Sequence, residues 1–219
     1  MLSLDFLKNE YQEKKTTVQI VAEEIAIDIL TGAMPGGKQI VEQRLCEKYH
    51  ISRTIAREVL HELKALGLVD MRPNRGAFIR SVTQRDVNDY FMMKSLLYPQ
   101  CVRWAIERIM PEELETLDEA FSFMEFYAST KDMEKIRRVI QGFNAIIYNA
   151  SHNTELERTL LRYDFMIKYA NQSVRFSEDD VDLILDELRQ VYEAFRARDP
   201  ELGYDAAQVH AYKSILRRK

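Results

Sequence analysis

Hydrophobic positions along this chain recur mostly three and four residues apart, the period of an α-helix, and turn strand-like only in a short interval before residue 80. Val18, Val21, Ile25, Ile27, Ile29 and Leu30 stand against Glu23, Glu24 and Asp28. This predicts a helix from Thr16 or Thr17 to about Thr31, capped by one of the threonines and ended at Gly32. Pro35-Gly36-Gly37 reads as a turn and Lys38–Ile40 as a short strand. A second helix is expected over about Val41–Tyr49 with Leu45 inward, then a turn at His50, then a third helix from about Ser52 to Leu66, stopped by Gly67. In the third helix Ile55, Val59, Leu60, Leu63 and Leu66 share a face, so Ser52, Arg53, Thr54 and Arg57 fall on or near the solvent side. Leu68–Arg72 and Ala77–Arg80 read as strands joined by the turn Pro73-Asn74-Arg75-Gly76, where glycine permits a positive φ.

From Thr83 onward the pattern is helical throughout. Thr83 and Asp86 can cap a long helix to about Arg108 that contains Pro99, and Pro111 starts another to about Ser129. Further helices are expected over Asp132–Ala150, Asn153–Asn171, Ser177–Arg198 and Pro200–Arg217. Ser177 followed by three acidic residues is a strong helix start, because the carboxylates complement the helix dipole. The chain is therefore mainly α. A flexible arm (1–15) precedes a winged helix-turn-helix domain (16–81), and an all-α bundle of about six helices (82–219) follows.

Composition agrees with this division. With 7 Gly and 5 Pro in 219 residues, the chain is too poor in turn formers for an all-β protein. Cys46 and Cys101 lie far apart and resemble no secreted disulfide framework, so reduced thiols are expected. No apolar run approaches the roughly 20 residues of a membrane span, and residues 1–15 lack the order of a signal peptide, which predicts a soluble, cytoplasmic protein with no membrane partner. The net charge is −4, yet Lys38–Arg80 holds nine Lys or Arg against five Asp or Glu. A locally basic module joined to an acidic remainder suits a nucleic-acid reader with a separate regulatory domain. Short polar groups and long cations at a helix N-terminus are what a major-groove reader needs, and Asn74, Arg75 and Gly76 at the wing tip can approach phosphate or the minor groove.

Pro35–Ile79, with I-S-R-T at 51–54, R-E-V-L at 57–60, G-L-V at 67–69 and P-N-R-G-A-F-I at 73–79, resembles the GntR transcriptional regulators. The remainder is similar, more loosely, to the FadR-type branch with an FCD domain, through Phe143-Asn144, the Ser151–Leu156 segment and Arg196–Glu201. The resemblance implies a homodimeric repressor on a palindromic double-stranded operator, its affinity changed by a small organic effector. It implies DNA contacts at Ser52, Arg53, Thr54 and Arg57 of the reading helix and at Asn74, Arg75 and Gly76 of the wing. Gln43 stands where relatives have an arginine that contacts DNA, and Arg44 beside it can substitute. Many FCD domains hold a divalent metal with one Asp and three His. The corresponding positions here are Ile140, Asn144, Leu188 and His210, so no metal and no cofactor is expected. An altered ligand pocket at Lys94, Tyr98, Asn144, Tyr148 and His210, or none, is the matching expectation.

Plainer readings stand beside these. Tyr127, Tyr163, Tyr169 and Tyr192, like Tyr98 and Tyr148, suit core or dimer packing, as do Phe91, Met92, Met93, Phe121, Phe123, Met124 and Phe126. Glu178–Asp182 lacks the glycine and the alternate spacing of a Ca²⁺ loop. No nucleophile elbow, P-loop, dinucleotide fingerprint or paired-Cys motif occurs, so an enzyme is not expected. The alternatives are a winged helix that contacts protein, or a bundle acting on a small metabolite.

Overall fold

The computed structural model describes residues 16–170 and 178–217; the expected arm and the Ser177 cap lie outside the described residues. In chain order the elements are α1 (Thr17–Leu30), β1 (Gln39–Ile40), α2 (Glu42–Tyr49), α3 (Arg53–Ala65), β2 (Val69–Arg72) and β3 (Gly76–Ile79). Six helices follow: α4 (Gln84–Arg108), α5 (Pro111–Ser129), α6 (Met133–Ala150), α7 (Thr154–Ala170), α8 (Glu178–Ala197) and α9 (Pro200–Leu216). Residues 16–88, with the stretch from Phe165 to the end of α7, make one compact unit; Asp89–Asp164 and 178–217 make the other. The division falls inside α4, whereas the sequence pattern places it before that helix.

In the first unit, Thr16 and Gln19 form a capping box that satisfies two of the free N–H groups at the start of α1. The buried stripe of α1 is Val21, Ala22, Ile25, Ala26, Ile29 and Leu30. Ile27, expected inward, is only half-buried, because it lies about 200° around the helix from Ile25. α3 buries Ala56, Val59, Leu60 and Leu63. Full burial of each Val or Leu side chain is worth roughly 1.5–3 kcal/mol, so this stripe fixes which side of α3 remains outside. The strands form an antiparallel sheet in the order β1-β3-β2, with Gln39 opposite Phe78 and Arg72 opposite Gly76.

The second unit is the helical bundle. Its core draws Tyr98, Cys101, Val102 and Ala105 from α4, Leu117, Phe121 and Met124 from α5, and Phe143 and Ile147 from α6. Leu160 of α7, Leu188, Val191 and Phe195 of α8, and Ala207 of α9 complete it. The helix starts are chemically explicit. Asp86 and Thr83 cap each other at α4, Asp132 accepts from the Lys135 N–H at α6, and Asp199 accepts from the N–H groups of Glu201 and Leu202 at α9. Gly203 permits close approach of α9 to α4, since a Cβ there would stand 2.2 Å from Ile106 Cδ1. Met92, Leu96 and Phe126 are exposed, whereas Phe121 and Met124 are core. Both cysteines are free thiols, and burial pushes the Cys101 thiol up to about 12, so it is inert as a nucleophile at neutral pH. Among the described residues no helix is long and apolar enough to cross a membrane.

Candidate functional site

Two polar constellations stand out, one in each unit. The first lies at the α2–α3 turn and the wing. His50 ends α2 in the left-handed region (φ 53°), which lets the chain reverse in a few residues. Ser52 then caps α3, its Oγ accepting from the Ile55 N–H at 3.3 Å. Ser52 is thus committed to starting the helix, while Arg53, Thr54 and Arg57 stand exposed beyond it. Arg53, Arg44 and Arg75 have no ion-pair partner among the described residues, so their charges are available to phosphate or base edges. Gln43, also exposed, spends its amide on Glu47 at 3.0 Å.

Arg57 is held differently. Its Nε donates to both carboxylate oxygens of Glu42, at 3.1 and 3.3 Å. That contact uses the inner edge of the guanidinium and leaves the two Nη groups for a second partner. Glu42 was not among the residues expected from sequence. Its i+15 separation from Arg57 follows no helical period, so only the packing of α2 on α3 brings them together. A second such residue is Gln39, whose Nε2 donates to the Arg75 carbonyl at 2.7 Å. It clamps the wing tip, where Asn74 and Gly76 both have positive φ (56° and 82°). Arg72 stacks over the Phe78 ring at 4.3 Å and stiffens the ribbon. A shallow groove between the wing and α2–α3 is lined by Gln39, Glu42, Gln43, Arg53, Asn74 and Arg75.

The second constellation is interior to the bundle. Of the five residues expected there, Lys94, Tyr98, Tyr148 and His210 come together. The Tyr98 ring meets Tyr148 and His210 edge-on, with centroids 6.2 and 6.0 Å away, and Lys94 Nζ lies 5.9 and 6.0 Å from the Tyr98 and Tyr148 centroids. Asn144, buried, is one helical turn before Tyr148 and therefore on the same side of α6. The charges are supplied by residues that sequence reading missed. Lys94 pairs with Asp164, which also accepts from Tyr148 Oη at 2.9 Å. Glu187, itself buried, receives both Nη groups of Arg217 at 2.7 Å and lies 2.9 Å from His210 Nδ1.

Titration follows from these contacts. Burial works against the Glu187 charge, but the hydrogen bonds from Arg217 and His210 outweigh it and hold the carboxyl at about 2. Burial lowers the His210 pKa; Glu187 opposes this, and Lys94 and Arg217 reinforce it. An ionised Glu187 facing a neutral imidazole assigns the proton to Nδ1, leaving the Nε2 lone pair as an acceptor. Burial also drives the Tyr98 and Tyr148 phenols well up, so both remain protonated.

The metal expected of many FCD domains does not fit these residues. Ile140 and Leu188 are hydrocarbon packed in or against the core, Glu187 is already chelated by Arg217, and no group of three or more His, Cys, Asp or Glu able to hold an ion occurs among the described residues.

Comparison with known proteins gives matches to both parts of the chain. The model described as "Bacterial regulatory proteins, gntR family" matches residues 17–79, and that described as "FCD domain" matches residues 89–212. The chain is 25% identical over 206 residues to the galactonate operon transcriptional repressor of Escherichia coli (strain K12), covering 85% of this chain and 89% of the relative. It is 26% identical over 199 residues to the probable D-xylose utilization operon transcriptional repressor of Paenarthrobacter nicotinovorans, covering 90% and 86%. Among solved structures, E. coli McbR/YncC superposes with a TM-score of 0.68 at 18% identity, covering 92% of this chain and 96% of that one, a likeness of fold.

Proposed function

Since the chain belongs to the gntR family of bacterial regulatory proteins and carries its FCD domain, we propose that this transcriptional regulator is a cytoplasmic repressor that binds a palindromic operator as a homodimer and releases it in response to a small molecule. The observation that carries the reading is the exposed start of α3, where Arg53 has no ion-pair partner among the described residues and Arg57 is pre-aimed by Glu42. In this reading α3 enters the major groove. Arg53 and Arg57 read base edges, and Thr54 and the N–H groups at the start of α3 meet phosphate. Arg44, Gln43, Asn74, Arg75 and Gly76 hold the flanking backbone. The names of the two operon repressors among the relatives support repression over activation.

The homodimer is supported by apolar side chains left outside the bundle: Leu96, 73% exposed on α4, and Val209, Tyr212 and Leu216 on one face of α9. The interior cluster around Tyr98 is the effector site. A ligand there changes operator affinity only by as much as it prefers one state of the dimer over another.

The test is an operator titration by fluorescence anisotropy at two salt concentrations. Arg53→Ala is expected to weaken specific binding by about 1–3 kcal/mol and to relax base preference at one position in each half-site. Unchanged affinity and unchanged base preference would exclude α3 as the reading element.

A further inference from the structure

The tip of the wing is fixed from outside its own ribbon. Arg75 stands there between Asn74 and Gly76, which both have positive φ (56° and 82°). Glycine reaches that region and its mirror image with similar ease, so a two-stranded ribbon alone holds such a turn loosely. Arg75 is nevertheless tied at both of its backbone polar groups. Its N–H donates to the Arg72 carbonyl at 3.0 Å, and its carbonyl accepts from Gln39 Nε2 at 2.7 Å. The first bond belongs to the turn itself; the second comes from β1, 36 residues earlier.

β1 is a firm support for this contact. The Gly37 N–H donates to the Ile79 carbonyl and the Ile79 N–H to the Lys38 carbonyl, each at 2.8 Å, and Ile40 is buried opposite Ala77. Gln39 lies between these anchors and is itself exposed, so its amide serves the wing and not the core. The charges show what is being held. Arg72 stacks on Phe78, whereas Arg75 has no ion-pair partner among the described residues. Gln39 and Arg75 line the same groove as Arg53 at the start of α3. Two cations along one groove suit a stretch of phosphodiester backbone, and a long side chain contributes most when the backbone that carries it is already ordered.

We propose that Gln39 is a positioning residue for operator binding: by holding the Arg75 carbonyl, it presents the Arg75 guanidinium to one phosphate of the operator backbone. This rests on the reading of α3 and the wing as the DNA-binding face. Gln39 acts through Arg75 and sets affinity. A phosphate contact carries no sequence information, so the bases preferred at each operator position are unchanged by its loss.

The experiment titrates the full chain by fluorescence anisotropy, at about 50 and 200 mM salt, against a duplex that it selects from a randomised pool. The parent is compared with Gln39→Met, Arg75→Ala, the two combined, and Arg53→Ala. Methionine keeps the length of Gln39 and lacks the donor. Gln39→Met is expected to weaken binding about 5-fold or more at the lower salt. Each phosphate contact adds about 0.9 to the salt slope, so the rise in salt should weaken Gln39→Met about 3.5-fold less than the parent. A partly misfolded variant would lose active protein and keep the parent's slope. In the Arg75→Ala background, Gln39→Met should change affinity less than about 2-fold, since the group it places is gone. Unchanged affinity, an unchanged salt slope, or an equal loss in the Arg75→Ala background would each overturn the proposal, the last because Gln39 would then touch DNA itself. Arg53→Ala separates this from the wider reading. If it weakens binding and Gln39→Met does not, only the role of Gln39 falls. If neither Arg53→Ala nor Arg75→Ala has an effect, the DNA-binding face is refuted and the role of Gln39 falls with it.

Discussion

Replacing Arg217 with methionine removes the guanidinium from Glu187 while keeping much of the side-chain volume. In the parent protein Glu187 is 7% exposed, and Arg217 supplies two hydrogen bonds of 2.7 Å to it. Methionine leaves the carboxylate buried with only His210 and the more distant Lys213. Stranding a buried charge in this way costs about 3–5 kcal/mol. The titration of Glu187 gives a similar figure: holding its carboxyl at about 2, below the ordinary 4.5, corresponds to about 3 kcal/mol at neutral pH. In a domain of this size each kcal/mol moves Tm by about 2–4 °C, so Arg217→Met should lower the bundle's Tm by roughly 6–20 °C. Glu187→Leu combined with Arg217→Met should recover most of that loss, because neither desolvated charge then remains. Circular dichroism melts of the parent, both single variants and the double variant at pH 7 provide the measurement. A single-variant change under 1 °C would refute the reasoning, and so would a double variant that melts below both singles.

Acid should act through the same residues. The folded pKa of Glu187 is depressed, so its contribution is fully present above about 4.5 and is lost as pH falls towards about 2. The folded pKa of His210 is also lowered, so the unfolded chain takes up this proton first and stability begins to fall below 6.5. Melts from pH 7.5 to 3 should show this acid limb, and Glu187→Gln should flatten its lower part. In the reading head, Glu42→Ala should weaken operator binding by about 1 kcal/mol or more by releasing Arg57, although it removes a negative charge that repels DNA; tighter binding would show that Glu42 merely screens Arg57. Gly76→Ala places a Cβ 3.3 Å from Gln39 Nε2 at a φ of +82°. It should cost about 1–2 kcal/mol of local strain and weaken binding without altering base preference, as selection from a randomised half-site would reveal.

Much of the fold is readable from the chain alone because its determinants are local. Capping groups sit three residues from the N–H groups they satisfy, as Thr16 does for Gln19 and Asp132 for Lys135, and the buried stripes of α1 and α3 follow the helical period. The exposed start of α3 is equally legible, since a face that is not core must be solvent. Family resemblance points to Lys94, Tyr98, Asn144 and His210, and the richness of the bundle in tyrosine to Tyr148; the helix packing joins Lys94, Tyr98, Tyr148 and His210 through ring contacts.

What the sequence by itself determined, then, is the succession of elements, their caps and the side of each helix that faces inward. What only the tertiary structure decided is which charges meet. Glu42 and Arg57 are 15 residues apart, Gln39 and Arg75 are 36, Glu187 and Arg217 are 30, and Lys94 and Asp164 are 70. No helical or strand period connects such pairs. An ion pair depends on where two backbones pack, and its energy depends on the water excluded there, so neither partner carries a signal in its own neighbourhood. The same holds for the groups left unpaired: the Tyr98 hydroxyl and the Asn144 amide oxygen are buried without a hydrogen-bond partner among the described residues because of how the helices pack, and nothing in their own neighbourhoods signals it.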